Sequence, residues 1–341
     1  MKAAVLVEFG KPLVIQDVDN PSPGPDEVLV KVMACGIDGT DLKLQEGFGY
    51  RPDLPFVTGH EPAGVVHEIG EDVTQFQPGD HVITYNFTTC GVCPMCRSNR
   101  ANVCPNMTAV LGARNRPGGH AEYLLVPAGQ LVKVPENVPW TDAAVLPDAG
   151  ITAYHAVDRS GLKLGETVLL MGAGGVGSYA IQFAKMAGAH VISVDVSEAK
   201  TERAKQLGAD DVIDASCQDV PEQVRKLTGG WGVDCTIDIV GTEATMGNGL
   251  DSLRNGGRIV IVGYTPDEYP LSGKRLAQNE LHVIGSRCGR QQDLINVVNL
   301  VASGRTQSIV TNTLPLEQIN EALDLLRAGK VLGRLVLQIG E

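Results

Sequence analysis

The chain of 341 residues lacks three features, and each absence excludes a class of partner. No apolar run approaches the roughly 18 residues of a membrane-spanning helix, so a bilayer is not an expected partner. Basic residues are in deficit, with 28 Lys and Arg against 40 Asp and Glu and a net charge of −12. That balance disfavours nucleic acid and anionic membranes as partners, because phosphate neutralisation needs clustered cations. The opening apolar stretch Met1–Val7 is too short for a secretory signal and is stopped at once by Glu8, which makes the cytoplasm the expected location. Disulfides are rare there, so clustered cysteines read as metal ligands or catalytic groups. The chain also has no internal repeat and no low-complexity segment.

What is present is an ordinary globular composition, 43% hydrophobic and 20% charged, with 40 glycines. The length predicts two domains. Residues 1 to about 150 carry short β-type runs, such as Val28–Val32 and Ala63–Ile69, punctuated by Pro23-Gly24 and Pro78-Gly79. Beyond about residue 160, strands alternate with helices. Strands are predicted at 168–171, 191–194, 211–213, 233–240, 258–263 and 281–285. Between the first two, Val176, Ala180, Ile181, Ala184 and Ala187 fall on one helical face. Six strands in such alternation predict a parallel, doubly wound α/β sheet. A helix over 316–326, Gly329 as a stop and a strand over 334–339 close the chain.

Cys90, Cys93, Cys96 and Cys104 are spaced C-x2-C-x2-C-x7-C. Four thiolates in one short loop can close a tetrahedral shell around Zn²⁺ and leave no open position, which defines a structural site. An iron–sulfur cluster and a pair of disulfides are the alternatives. Cys35, Cys217, Cys235 and Cys288 are scattered and read as apolar side chains.

Gly172-Ala173-Gly174-Gly175-Val176-Gly177 is G-x-G-x-x-G between a strand and a helix, the context in which the motif binds a dinucleotide. Its glycines admit the tight turn, the pyrophosphate and close helix packing, and the helix N-terminus offers N–H donors to the phosphates. Asp195, 23 residues after Gly172, would accept the adenosine ribose hydroxyls and repel a 2′-phosphate, favouring NAD over NADP. Lys200 and Ser197 lie nearby.

The two motifs, in this order, resemble the zinc-containing medium-chain alcohol dehydrogenases, and the likeness extends along nearly the whole chain. Gly59-His60-Glu61-Pro62-Ala63-Gly64-Val65-Val66 looks like the family's G-H-E signature. Cys35-Gly36-Ile37-Asp38-Gly39-Thr40-Asp41-Leu42 resembles its C-G-x-C-x-T-D-L stretch, and Gly333-Arg334 its C-terminal arginine. The resemblance implies an α/β protein in which a GroES-like, mostly β catalytic domain (1–150, with a zinc lobe at about 86–106) joins a Rossmann domain (151–286). A C-terminal segment (287–341) returns to the catalytic domain, and the active site lies in the cleft between the domains. It assigns Gly172, Gly174, Gly175, Val176, Gly177, Asp195, Lys200, Thr152 and Arg334 to NAD, with Arg334 on the pyrophosphate. It makes a homodimer or homotetramer the expected assembly, with edge strands near 258–263 and 281–285 available for pairing.

The chain departs from the pattern at three places. Asp38 stands where the family has a cysteine ligand, and Asp148, in Leu146-Pro147-Asp148-Ala149-Gly150-Ile151-Thr152, where it has another. Lys43 replaces the histidine that often ends the proton relay. Asp38, His60 and Asp148 preserve the formal ligand charge of the usual set and still form a three-ligand site, with Glu61 as a fourth or exchanging ligand. Oxygen donors are harder than sulfur, so Mn²⁺ or Co²⁺ should compete better with Zn²⁺. The alternative is that the catalytic metal has been lost.

The reaction implied is reversible oxidation of an alcohol, primary, secondary or polyol, to an aldehyde or ketone. Hydride passes to NAD, and a catalytic Zn²⁺ acts as Lewis acid. Thr40 accepts the alcohol proton and passes it to a cofactor ribose hydroxyl, and Lys43 or solvent completes the path. Phe48, Tyr50, Asn86, Phe87 and Trp140 are pocket candidates, Asn86 hinting at a polar substrate group, and Arg287 and Arg290 are candidate anion binders. Two other readings remain open: a zinc-independent NAD(P)H reductase of enones, quinones or acyl thioesters, and a non-enzymatic cofactor-binding protein.

Overall fold

The structure, a computed structural model, describes residues 1–340 and divides into two compact units. One comprises Met1–Asp148 with Arg290–Glu341, and the other Ala149–Gly289. The boundaries between the units fall at 148/149 and 289/290.

The first unit is built on a seven-stranded sheet. Its order is Leu131–Lys133, His81–Thr84, Pro62–Ile69, Glu27–Ile37, Arg334–Gln338 and Val310–Pro315, with Tyr123–Pro127 also paired to Glu27–Ile37. The long strand Glu27–Ile37 is central because nearly all its side chains are buried, Lys31 alone being exposed. All pairings are antiparallel except Val310–Pro315 with Arg334–Gln338. Val28, Val30, Val32, Val66, Val82, Leu124 and Val126 form its core. The registers Cys35↔Pro62 and Leu335↔Ile37 bring three chain segments to one end of the sheet: residues after Ile37, residues before Pro62, and Arg334. The tail helix read as 316–326 starts as a 3₁₀ turn, Leu316–Gln318, and becomes α-helical over Ile319–Arg327, ending before Gly329.

The second unit is a six-stranded parallel sheet ordered Asp211–Asp214, His190–Asp195, Thr167–Met171, Val233–Asp238, Leu253–Ile261 and His282–Gly285. Numbered along the chain, this is 3-2-1-4-5-6, the doubly wound order whose switch point lies between Thr167–Met171 and Val233–Asp238. Leu169, Met171, Ile192, Val194 and Ile213 line one face, and Val168, Leu170 and Val191 are buried on the other, which gives the continuous apolar runs such a sheet needs. One expectation is corrected: the strand read as 258–263 is not an edge, because Leu253–Ile261 is paired on both sides, and only His282–Gly285 closes that end.

Candidate active site

The converging sheet end of the first unit holds a cluster of charge. Asp38 caps the helix Gly39–Glu46, its Oδ1 accepting the Thr40 N–H at 2.7 Å. His60 ends the loop before Pro62–Ile69, and Asp148 sits in a π-helical turn, Leu146–Gly150. Ligand atoms of Asp38, His60 and Asp148 all lie within 4.8 Å of one another. His60 is buried, and neither ring nitrogen has a hydrogen-bond partner; Nε2 lies 3.6 Å from Asp38 Oδ1. A buried imidazole nitrogen left without a partner beside two carboxylates is the donor arrangement of a cation site, so these residues fit a metal ion with one imidazole and two oxygen ligands.

Glu61 does not join this group. It is fully buried, and its Oε2 accepts from Arg334 Nη2. Gly36 makes the room: a Cβ there would stand 1.9 Å from Glu61 Oε2. Burial pushes the Glu61 carboxyl well above the usual carboxylate range, against the pull of Arg334. Arg334 is itself buried, with Nη1 3.7 Å from Asp38 Oδ2. The arginine read as a pyrophosphate contact therefore makes its ion pairs inside the acidic cluster. Burial also opposes ionisation of Asp38, but His60 and Arg334 outweigh it and hold that carboxyl below its ordinary range.

Asp41 was not among the residues singled out from the sequence. Its Oδ2 accepts the Asp38 N–H at 3.1 Å, and its Oδ1 faces His60 Nδ1 at 3.9 Å. At that distance Asp41 makes no hydrogen bond to the ring and acts on His60 through its charge alone. The acid one residue after Thr40 was the available signal. Burial raises Asp41 to about 7. Thr40 Oγ1 lies 3.4 Å from Asp38 Oδ2. Lys43, on the same helix, is lowered by burial while Asp38 and Asp148 pull the other way.

The four cysteines lie on the lobe between Phe87–Thr88 and Ala109–Leu111. Their sulfurs stand apart by 3.9 Å (Cys90–Cys96), 3.5 Å (Cys93–Cys96), 3.8 Å (Cys93–Cys104) and 3.6 Å (Cys90–Cys104). Four sulfurs about 2.3 Å from one tetrahedral ion would be about 3.8 Å apart, so the set fits Zn²⁺. The N–H groups of Val92 and Cys93 bring the Cys90 thiol down to about 6, favouring the thiolate that a metal requires.

In the second unit, Gly174 caps the helix Gly175–Met186, which opens with Gly175, Val176 and Gly177. A Cβ on Gly177 would lie 2.0 Å from Gly172 O, so only glycine lets the helix meet the strand end this closely. Asp195, the last residue of His190–Asp195, accepts from Ala173 N at 2.9 Å and Ser197 N at 3.1 Å, which ties it to the glycine turn. Lys200 is in the first turn of Glu198–Gln206, and Thr152 is buried in Ile151–Ser160.

The other pocket candidates divide. Phe48 is exposed. Phe87 packs edge-on against Tyr85, Trp140 lies over His81, and Arg290 is bound to Asp293.

A mostly β unit with two sites fit for metal, followed by a doubly wound unit with a dinucleotide turn, defines a zinc-binding dehydrogenase. Residues 24–136 match the alcohol dehydrogenase GroES-like domain, and residues 175–303 match the zinc-binding dehydrogenase domain. An alcohol dehydrogenase of Geobacillus stearothermophilus is 37% identical over 341 residues, covering 99% of this chain and 100% of the relative. An NAD-dependent alcohol dehydrogenase of Sulfolobus acidocaldarius is 39% identical over 348 residues, covering 99% and 100%. The crystal structure of the alcohol dehydrogenase from Aeropyrum pernix superposes with a TM-score of 0.92 at 37% identity, covering 99% of this chain and 100% of that one. The chain belongs to the zinc-containing medium-chain alcohol dehydrogenase family.

Proposed function

We propose that this chain is an NAD-dependent alcohol dehydrogenase interconverting a small-molecule alcohol, primary, secondary or polyol, and its aldehyde or ketone. The observation that carries the reading is the approach of Asp38, His60 and Asp148 to within 4.8 Å of one another, with the imidazole unpartnered. These three residues would hold the catalytic ion, and Cys90, Cys93, Cys96 and Cys104 the structural one. Bound at the first site, Zn²⁺ supplies Lewis acidity that lowers the pKa of an alcohol hydroxyl. Thr40 Oγ1 would take the alcohol proton while giving its own to a cofactor ribose hydroxyl, and Lys43 or solvent would complete the path. Asp41 lies behind the His60 ring and acts on it through charge. Arg334 and Glu61 balance the charge behind Asp38. Gly172, Gly174, Gly175, Val176 and Gly177 receive the pyrophosphate, and Asp195, with Lys200 and Thr152, completes the NAD contacts.

The zinc-independent reductase reading is disfavoured by the same observation, since a chain without that ion would keep a buried, unsatisfied imidazole between two acids at a cost in stability. Two measurements test the reading together: metal per subunit by mass spectrometry, and NAD reduction with a panel of alcohols. Two ions per subunit with turnover is the expected result. One ion per subunit in an active enzyme purified without chelator would overturn it.

Homo-oligomers are part of this reading, supported by His282–Gly285, an edge strand with Val283 exposed, across which a two-fold axis would pair two sheets. A monomer mass in sedimentation at micromolar concentration would count against it. The four closely spaced thiols require a reducing compartment to bind zinc, which supports the cytoplasm. Among the described residues no helix is long and apolar enough to cross a membrane.

A further inference from the structure

The sequence offered Asn86 as a group that would meet a polar substrate. The structure uses its side chain otherwise. Asn86 is 4% exposed and follows the strand His81–Thr84. Its Oδ1 accepts from Thr84 Oγ1 at 3.3 Å, and its Nδ2 donates to the carbonyl of Pro147 at 3.4 Å. Its own backbone carbonyl accepts from Leu111 N at 2.9 Å, which fastens it to the three-stranded sheet at the base of the cysteine lobe.

Pro147 is the residue before Asp148. Its carbonyl and the Asp148 amide share one planar peptide, so the direction of that carbonyl sets where the Asp148 Cα stands. The turn that carries them, Leu146–Gly150, is π-helical. Such a turn holds one extra residue and is less well determined by its own ladder than an α-helical one, so an outside donor has a position to fix. A carboxamide suits the task. It accepts from Thr84 with one end, donates to Pro147 with the other, and adds no charge beside a cluster that already holds Asp38, Asp41, Glu61 and Asp148.

We infer that Asn86 is a positioning residue for the catalytic metal site: it holds the peptide before Asp148 so that this carboxylate converges on His60 and Asp38. The inference rests on the metal reading given under Proposed function. It assigns Asn86 to the ion and not to the substrate.

The test uses the full-length enzyme, dialysed against chelator until only the lobe zinc remains and then titrated with Co²⁺, followed by its visible absorption. The parent is expected to take up one Co²⁺ per subunit. Asn86→Leu, close in size and without a donor, is expected to bind Co²⁺ about 10-fold or more weakly, in the range found for outer-shell partners of metal ligands. It should keep its lobe zinc, and kcat at saturating Co²⁺ should recover substantially. Thr84→Val removes the hydroxyl that orients the amide and should weaken Co²⁺ binding in the same direction by less. Co²⁺ affinity within twofold of the parent in folded Asn86→Leu would overturn the inference, as would a raised alcohol KM at unchanged Co²⁺ affinity, which would return Asn86 to the substrate. If Asn86→Leu does not fold, Thr84→Val decides, unchanged affinity there counting against it. A parent that takes up no Co²⁺ beyond the lobe would instead bring down the metal reading, and this inference with it.

Discussion

His60 Nε2 stands 3.6 Å from Asp38 Oδ1, too far for a hydrogen bond and close to the separation of two ligands on one ion. Ligand atoms about 2.0–2.1 Å from a tetrahedral metal lie about 3.4 Å apart. Charge tells the same story. Asp38, Asp41, Glu61 and Asp148 gather around the buried cation Arg334, with Lys43 partly buried beside them. A divalent ion would bring such a group near neutrality.

Asp38→Asn and Asp148→Asn each keep the size of the side chain and remove one ligand charge. Each should lower catalytic metal to below one per subunit while leaving the lobe zinc, and should cut kcat/KM by at least about 100-fold if the ion carries the chemistry. Metal analysis alongside NAD reduction checks both. Unchanged metal and turnover in the two variants would sink the assignment. The oxygen-rich set should also show weaker preference for Zn²⁺ over Co²⁺ and Mn²⁺ than the double variant Asp38→Cys/Asp148→Cys, read as the ratio of dissociation constants.

Arg334 and Glu61 form a buried pair drawn from positions 273 residues apart. Removing one member leaves the other charged or unsatisfied in the interior. Arg334→Met should therefore cost about 3–5 kcal/mol in urea unfolding, and the double variant with Glu61→Gln should recover part of that. Arg334→Lys should not rescue, because an ammonium cannot reach Glu61 and Asp38 together as a planar guanidinium does. Additive losses in the cycle would show that the pair does not act as a unit.

How much of this was legible beforehand depended on how local each requirement is. The glycine turn and the cysteine lobe could be read because their constraints fall within a few residues: Gly177 must clear Gly172 O, and four sulfurs must meet inside one loop. The parallel sheet showed in its buried apolar runs. Strand position did not show, since 258–263 looks like an edge until His282–Gly285 pairs beside it. Asp41 behind His60, Arg334 on Glu61, and Asn86 on Pro147 depend on distant segments meeting at one sheet end, and no spacing along the chain records that. Asp38 and Asp148 were found only because a family pattern marked their places.

Asp195 accepts two N–H groups, one from the glycine turn at Ala173. Asp195→Ala should thus do two things: remove the group that would meet the ribose hydroxyls, and loosen the turn. KM for NAD should rise about 10-fold or more, with a smaller rise for NADP, so the ratio of kcat/KM values narrows. A parent enzyme that prefers NADP would refute this role for Asp195.

The last prediction concerns acid stability and the pair Glu166–Arg258 in the parallel-sheet unit. Arg258 grips Glu166 with both Nη nitrogens of its guanidinium, Nη1 reaching Oε1 at 3.2 Å, and Lys163 N donates to Glu166 Oε2 at 2.9 Å. Burial works against the charged carboxylate, but the bonds from Arg258 and Lys163 outweigh it, and the Glu166 carboxyl lies below its ordinary value. The sign follows from linkage: where the folded pKa is depressed, the unfolded chain takes up the proton first, so acid favours unfolding. The contribution of Glu166 is therefore fully present above its unfolded pKa of about 4.3 and is lost as pH falls through the lower folded value. Glu166→Gln should be less stable than the parent by about 1.5–3 kcal/mol at pH 7, the range for hydrogen bonds to charged groups. That gap should hold down to about pH 5 and narrow as the pH falls further, through the lower folded value. Denaturant unfolding of both proteins at several pH values measures it. A gap that stays constant or widens toward acid would mean that the Glu166 charge does not supply the stability.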